Sequence, residues 1–498
     1  MPGIGSRLRI GWRIGWRIGR RIADTRSESG ETIVERLSGL DASFLYLETV
    51  TQPLHVCSLL ELDTSTMPGG YTFDRLRDAL GMRIKAMPQF REKLADSRLN
   101  LDHPVWVDDN AFDLGRHLRC VGVPTPGGRA EVAEVCAQIA AVPLDRDHPL
   151  WEMWVIEGLA GTPASAGGRV AVLTKVHHAA VDGVMGADLL AQLCSTEPDA
   201  PPPDAVAGAG GAHWLQIAAS GLVGFAARSW RLVNVLSLTG ASLVETARRA
   251  RCGRSMARPF AAPPTAFNAA VTAQRNIAYT QLELSDIKKV KDRFGVKVND
   301  VVMALCAGVL RRWLSDRGEL PAKPLVAMVP VSVRDTSGRP GHNQVSGMFS
   351  RLETHISDPG RRLQAIAQAN SRAKDHSSAI GATLLQDWAQ FADSTLFGTA
   401  MRLFAKTPLT HTPVHNVIVS NVAGPQVTLY FLGARLTAIY PLGPIFHGCG
   451  LNITVISLNG KLDFGIISCP QLLPDLAVLA DDFTVELQEL LAASPPGT

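Results

Sequence analysis

Residues 197–212 read EPDAPPPDAVAGAGGA, and no other stretch restricts the folding of this chain as much. Three consecutive prolines remove backbone donors, and the Gly/Ala-rich remainder has no apolar period. Neither a helix nor a ladder strand can run through it, and it reads as a linker. A chain of 498 residues exceeds what one ordinary core organises, so the break divides it into two folded parts.

Each part mixes the two periodicities. Before the break, LHVCSLLEL (54–62), WEMWVIEGL (151–159) and RVAVLTKV (169–176) read as strands. PGGYTFDRLRDALGMRI carries a turn and then a helix with Leu76, Leu80 and Ile84 on one face. A further helix is predicted after Gly183, with Met185, Leu189 and Leu193 at i, i+4, i+8. After the break, two apolar-rich helical stretches occupy roughly 213–250, and RPFAAPPTAFN interrupts again. From about Arg275 the pattern restarts with the strand IAYTQLEL. The helix SDIKKVKDRF follows, with Ser285 as its N-cap and Gly295 past its end. NDVVMALCAGVLRRWLSDRG is a longer helix, and LVAMVPVSV, QVSGMFSRLET, VHNVIVSNV and LNITVISLNGKLDFGI read as strands. PDLAVLADDFTVELQELLAA closes the chain as an amphipathic helix.

The predicted class is therefore α+β, or α/β in two layers. The organisation is a basic extension (1–36), an N-terminal lobe (37–196), a linker and helical connector (197–274), and a C-terminal lobe (275–498).

Composition excludes several classes. With 46% hydrophobic and 19% charged residues the chain is not disordered. The formal net charge is +3, but six arginines stand in residues 1–22 without an acid, leaving the rest at −3. The body is not a nucleic-acid binder. The tip, RIGWRIGWRIGRRI (9–22), repeats every four residues. On a helix Ile10, Ile14, Ile18 and Ile22 would form one stripe and Arg9, Arg13, Arg17 and Arg21 the next, with Trp12 and Trp16 at another edge. That pattern suits an anionic membrane surface; a tail without structure, or a start site placed too far upstream, is the competing reading. No run of 18 uncharged apolar residues exists, so no transmembrane helix is predicted. A mean hydropathy of +0.09 and the apolar connector suit a cytoplasmic, peripheral protein on the inner membrane face or a lipid droplet. Eight scattered cysteines without a CxxC pair read as reduced thiols.

The chemistry concentrates at KVHHAAVDG (175–183), where a strand gives way to a helix. An imidazole exchanges its proton near neutral pH, as general-base catalysis requires. A nearby acid can orient that ring, or can pair with an arginine and hold the loop. Gly183 admits backbone conformations closed to larger residues. Residue chemistry alone leaves a base, a satisfied core histidine or a metal ligand open, although the metalloprotease pattern sets its histidines four apart.

HHAAVDG matches the HHxxxDG signature of acyl-CoA-dependent acyltransferases related to chloramphenicol acetyltransferase and the peptide-synthetase condensation domains. LSGLDASFLYLETVTQPLHV (37–56), PQFREKL (88–94), PLDRDHPLWEMWVIEGL (143–159), NDVVMALCAGVLRRWL (299–314), VPVSVR (329–334), SNVAGP (420–425) and GLNITVISLNGKLDFGI (450–466) occur in family order. From Leu37 to about Leu491 the chain thus resembles the bacterial wax ester synthase/diacylglycerol acyltransferase family, with a less regular C-terminal block.

The resemblance implies two similar lobes with a tunnel between them, long-chain acyl-CoA entering from one face and diacylglycerol or a long-chain alcohol from the other. It makes His178 the general base, His177 its support, Asp182 a structural residue pairing an arginine, and Gly183 part of the loop. Asn299, Asp300, Asn421 and Trp151 become candidates for the tunnel wall. It implies no metal and no cofactor, acyl-CoA being a substrate. The implied activity is acyl-CoA:diacylglycerol O-acyltransferase, with wax ester synthesis beside it. The alternatives are transfer to another lipid alcohol, or a lipid-binding paralogue with little catalysis.

Overall fold

The computed structural model describes residues 36–95, 103–161, 168–180, 192–206, 261–332, 345–380, 407 and 412–495. The basic tip, the helices expected after Gly183 and over 213–250, and Asp182, Gly183 and Cys252 lie outside the described residues.

Along the chain come α1 (Gly39–Leu47), β1 (His55–Asp63), α2 (Phe73–Ile84), β2 (Glu92–Ala95), β3 (Val105–Asp108), α3 (Leu114–His117), β4 (Leu118–Gly122), α4 (Arg129–Ala140), β5 (Trp151–Glu157), β6 (Arg169–His177) and β7 (Cys194–Ser195). After the linker follow β8 (Asn276–Glu283), α5 (Leu284–Phe294), α6 (Val298–Asp316), β9 (Val326–Ser332), β10 (Val345–Arg351), α7 (Pro359–Ile380), β11 (Val417–Val422), β12 (Tyr430–Phe431), β13 (Ala434–Leu442), β14 (Leu451–Leu458), β15 (Lys461–Ser468) and α8 (Leu476–Ala492). The described part of the linker, residues 197–206, has neither helix nor strand and is exposed from Pro201 on.

The strands form a seven-stranded sheet, β4-β5-β6-β1-β13-β12-β7, and a six-stranded sheet, β10-β9-β11-β14-β15-β8, besides the hairpin β2-β3. The sheets do not follow the halves of the chain. Residues 430–442, in the second part of the sequence, supply two strands to the first sheet, where β13 lies antiparallel against β1 from Cys57↔Leu442 to Asp63↔Arg435.

Burial explains the strand sequences. In β1, Cys57 and Leu59 join an apolar cluster with α4, while Leu60 and Leu62 join another with α2. A strand covered on both faces reads as a continuous apolar run. Each of these clusters also takes residues from the second sheet, Ile456 and Leu458 in one, Ile277 and Ile467 in the other. The two sheets are thus joined through core. At the crossing Gly465 faces Pro441 so closely that a Cβ would run into the carbonyl of Pro441. Asp463 of β15 accepts the Ile439 N–H of β13 at 2.8 Å.

The second sheet is covered by α5, α6, α7 and α8. In α8 the buried residues Leu476, Leu479, Ala480, Phe483, Leu487 and Leu490 follow the helical period, as its amphipathic sequence predicts. Two of these helices share a buried ion pair: Arg362 of α7 donates to Glu486 of α8, each with a side chain 2% exposed. One helix start differs from the prediction. α5 opens at Leu284 rather than after Ser285, and no side chain caps it. Leu284 is buried and its N–H donates to Gly460 O, so the β14–β15 turn takes the amide of the first helical residue. Gly295 does close α5, with φ +66°.

Candidate active site

β6 ends at His177 between β1 and β5. Alternation turns Ala171 and Leu173 toward the α4 cluster, and Lys175 and His177 share that parity. His177 is fully buried opposite His55 of β1. Lys175 is also fully buried, its ammonium donating to Ile139 O at 3.3 Å and Glu152 Oε2 at 3.2 Å. Beyond the strand the backbone is held from two sides. The His177 N–H donates to Leu150 O (3.0 Å), the His178 N–H to Leu54 O (2.9 Å) and the Ala180 N–H to His177 O (2.9 Å).

The His177 ring has a defined proton. The Ala179 N–H donates to its Nδ1 at 3.0 Å, so Nδ1 is an acceptor and the neutral ring carries hydrogen on Nε2. Nε2 lies 3.4 Å from Glu48 Oε1. That carboxylate also accepts the Leu54 N–H at 2.9 Å, and on Oε2 it takes Arg146 Nη2 at 2.7 Å and Nε at 3.2 Å. Burial pushes the Glu48 carboxyl up, but His177, the Leu54 amide and Arg146 together hold it down at about 2.

His178 lies against Phe44 of α1, with ring centroids 3.9 Å apart and planes 18° apart. Its Nδ1 is buried without a hydrogen-bond partner. Burial lowers its pKa to about 4, against the pull of its own backbone carbonyl. The ring is therefore neutral at pH 7 and offers the lone pair a general base needs.

The other sequence candidates fall into separate groups. Trp151 is buried, donates to Phe90 O at 2.9 Å, stacks on His117 at 4.6 Å and is paired with Val176 on the adjacent strand β6. Asn421 donates to Asn299 Oδ1 at 3.2 Å, tying β11 to the start of α6. Asp300 accepts the Lys297 N–H at 2.9 Å and Asn370 Nδ2 at 2.7 Å, so the helix end and α7 occupy it. Among the described residues no hydrogen bond or ion pair joins Asn299, Asp300 or Asn421 to His178. Val422 and Ala180 do pack against the same apolar cluster, which contains Trp151, Val176 and Ile456. A cavity of about 330 Å³ lined by Glu61, Arg129, Arg169, Tyr279 and Tyr440 opens at the Arg169 end of β6, away from the histidines.

Phe44, Glu48 and Arg146 were not singled out from the sequence. Glu48 and His177 stand far apart in the chain, and no local spacing marks them. The one available signal is that all three lie inside the blocks SFLYLET and PLDRDHPLW. Among the described residues no group of three or more His, Cys, Asp or Glu is placed to hold a metal ion.

Comparison with known proteins follows the same residues. Residues 37–302 match the model of the wax ester synthase/diacylglycerol acyltransferase catalytic domain, and 342–491 that of the WS/DGAT C-terminal domain. A protein of Mycobacterium tuberculosis H37Rv named "putative diacylglycerol O-acyltransferase" is 60% identical over 93% of this chain and 92% of its own length. A second of that strain, named likewise, is 35% identical over 91% and 99%. Among solved structures, the wax ester synthase/diacylglycerol acyltransferase from Marinobacter aquaeolei VT8 aligns with a TM-score of 0.65 at 30% identity, covering 91% of this chain and 98% of that one. A starter condensation domain of rhizomide synthetase aligns at 0.51 with 15% identity over 93% and 95%, a likeness of fold.

Proposed function

Because the chain belongs to the wax ester synthase/diacylglycerol acyltransferase family, we propose that it transfers a long-chain acyl group from acyl-CoA to diacylglycerol, with His178 as the general base. The observation that carries the role is the state of that ring: neutral, seated on Phe44 and set on a turn held by two neighbouring segments. His178 takes the proton of the acceptor hydroxyl, and the oxygen attacks the thioester carbonyl. The tetrahedral intermediate collapses with cleavage of the C–S bond. The imidazolium returns the proton to the CoA thiolate, a good leaving group at a thiol pKa of about 8.5, and triacylglycerol and CoA are the products. A well-placed base contributes roughly 10²–10⁴ in rate; alignment of two lipids and donors to the oxyanion supply the rest.

In this reading His177 supports the turn, and Asp182 and Gly183 shape the loop after it. In the same reading Asn299, Asp300, Asn421 and Trp151 would line a tunnel between lobes 37–196 and 275–498, with 197–274 as connector. Long-chain alcohols are the second acceptor class.

The protein works at the cytoplasmic membrane face or a lipid droplet, with the Arg/Ile/Trp repeat of residues 9–22 touching anionic lipid. Among the described residues no helix is long and apolar enough to cross a membrane, which fits peripheral contact. Deleting residues 1–30 should release the protein from anionic vesicles; unchanged binding would remove this role for the repeat.

The activity is tested by CoA release from palmitoyl-CoA with diolein or hexadecanol, beside His178→Ala. Acceptor-dependent release that disappears in a folded His178→Ala protein supports the base, and the faster acceptor identifies the preferred alcohol. A folded wild-type protein that releases no CoA with either lipid would sink the reading.

A further inference from the structure

We propose that Glu48, clamped by Arg146, is a positioning residue that keeps the proton of His177 on Nε2 and so holds the turn from which His178 works; the inference rests on His178 being the base. Glu48 touches no reacting atom, and its action passes through His177.

Three charged or titratable groups besides Glu48 surround His177. His55, directly opposite, has its Nε2 on Ala140 O at 2.8 Å. Lys175, two residues back on the same face, is committed to Ile139 O and Glu152. His178 is on the turn itself, with its ring on Phe44. Among these described neighbours Glu48 carries the one carboxylate within ion-pair distance of His177 Nε2, at 3.4 Å, and the contact is electrostatic, Nε2 having no hydrogen-bond partner.

The consequence runs through the backbone. With hydrogen on Nε2, Nδ1 is free to accept the Ala179 N–H, and Ala179 is buried. Moving that hydrogen to Nδ1 would set two donors against each other and leave a buried amide unpaired, a costly arrangement the turn can escape only by shifting. Ala179 directly follows His178, so such a shift moves the base.

Arg146 completes the device. It binds Glu48 Oε2 through two nitrogens and also donates to Leu45 O of α1 at 2.8 Å. The Glu48 N–H in turn donates to Phe44 O at 3.1 Å. The end of one helix therefore presents Phe44 to the second histidine and Glu48 to the first. Adjacent histidines are set by one rigid turn of helix and by the loop that carries Arg146.

The test uses the full-length protein with ¹⁵N-labelled histidine, the His177 signal assigned by its loss in His177→Gln. The expected spectrum at pH 7 shows hydrogen on Nε2 of His177 in the wild type and a mixture of tautomers in Glu48→Ala. In CoA-release kinetics Glu48→Ala should lower kcat by about 10²-fold, the scale of a small misplacement of a reacting group, with KM for palmitoyl-CoA unchanged. Glu48→Gln keeps an oxygen toward Nε2–H and should restore much of the loss. A wild-type His177 with hydrogen on Nδ1, or a folded Glu48→Ala protein with wild-type kcat, would overturn the proposal. If Glu48→Ala does not fold, Glu48→Gln and the wild-type spectrum decide. A wild-type protein that shows the expected tautomer yet acylates no alcohol points to failure of the activity reading instead.

Discussion

Phe44 lies flat on His178, 3.9 Å between ring centroids, and covers one face of the imidazole. With the ring's pKa brought down to about 4 by burial, the acid limb of CoA release should fall well below the ordinary histidine value of about 6.5. Phe44→Ala uncovers that face and should move that limb upward, toward 6.5. The pH dependence of kcat/KM reads both values, and an acid limb unmoved in a folded Phe44→Ala protein would deny the stack this role.

His55 gives a stability prediction with a defined sign. Burial, with Lys175 beside it, lowers its pKa to about 3 against an ordinary value near 6.5. Between those values the unfolded chain binds a proton that the folded chain does not, so this residue costs stability as pH falls. The stability advantage of wild type over His55→Gln should therefore shrink by about 1.4 kcal/mol per pH unit below pH 6.5, as measured by urea unfolding. A pH-independent difference would show that His55 protonates freely in the fold.

Gly465→Ala tests the crossing of the sheets. The added methyl meets the Pro441 carbonyl, and neither backbone can withdraw without breaking its own ladder. A cost of about 1–3 kcal/mol is expected, the usual range for overpacking, read as a lower urea midpoint.

Arg362 and Glu486 form the buried pair between α7 and α8. Arg362→Met strands a carboxylate that is 2% exposed and should cost about 3–5 kcal/mol. Adding Glu486→Leu should return much of that stability, because an apolar pair replaces the ionic one without an orphan charge. A double variant no more stable than Arg362→Met would show that Arg312, 3.9 Å from Glu486, had already compensated the acid.

Local pattern made most elements legible. Leu76, Leu80 and Ile84 share the buried face of α2 as their spacing requires, and the runs at 54–62, 151–159 and 169–176 are strands within two residues of their expected ends. What pattern does not carry is partnership. ARLTAIYPL contains Pro441, which reads against an inner strand. It serves because β12 pairs only with Ala434 and Arg435, leaving Pro441 paired on the β1 side alone. The site divides in the same way. The strand-to-loop position of His177 and His178 was visible in KVHHAAVDG. The groups that orient them, Phe44, Glu48 and Arg146, come from segments far away in the chain, and only folding assembles them.

The strand that crosses between the sheets also bears on how the molecule can be made. A ribosome delivers β1 and β6 long before Ala434–Leu442, so the long edge of β1 waits without its neighbour while most of the remaining polypeptide is synthesised. An unpaired edge of that length invites association with other nascent chains. Cutting the gene at the Pro/Gly/Ala linker would accordingly not yield two self-sufficient proteins: the upstream product would lack an inner strand, and the downstream one would display that strand with nothing to receive it.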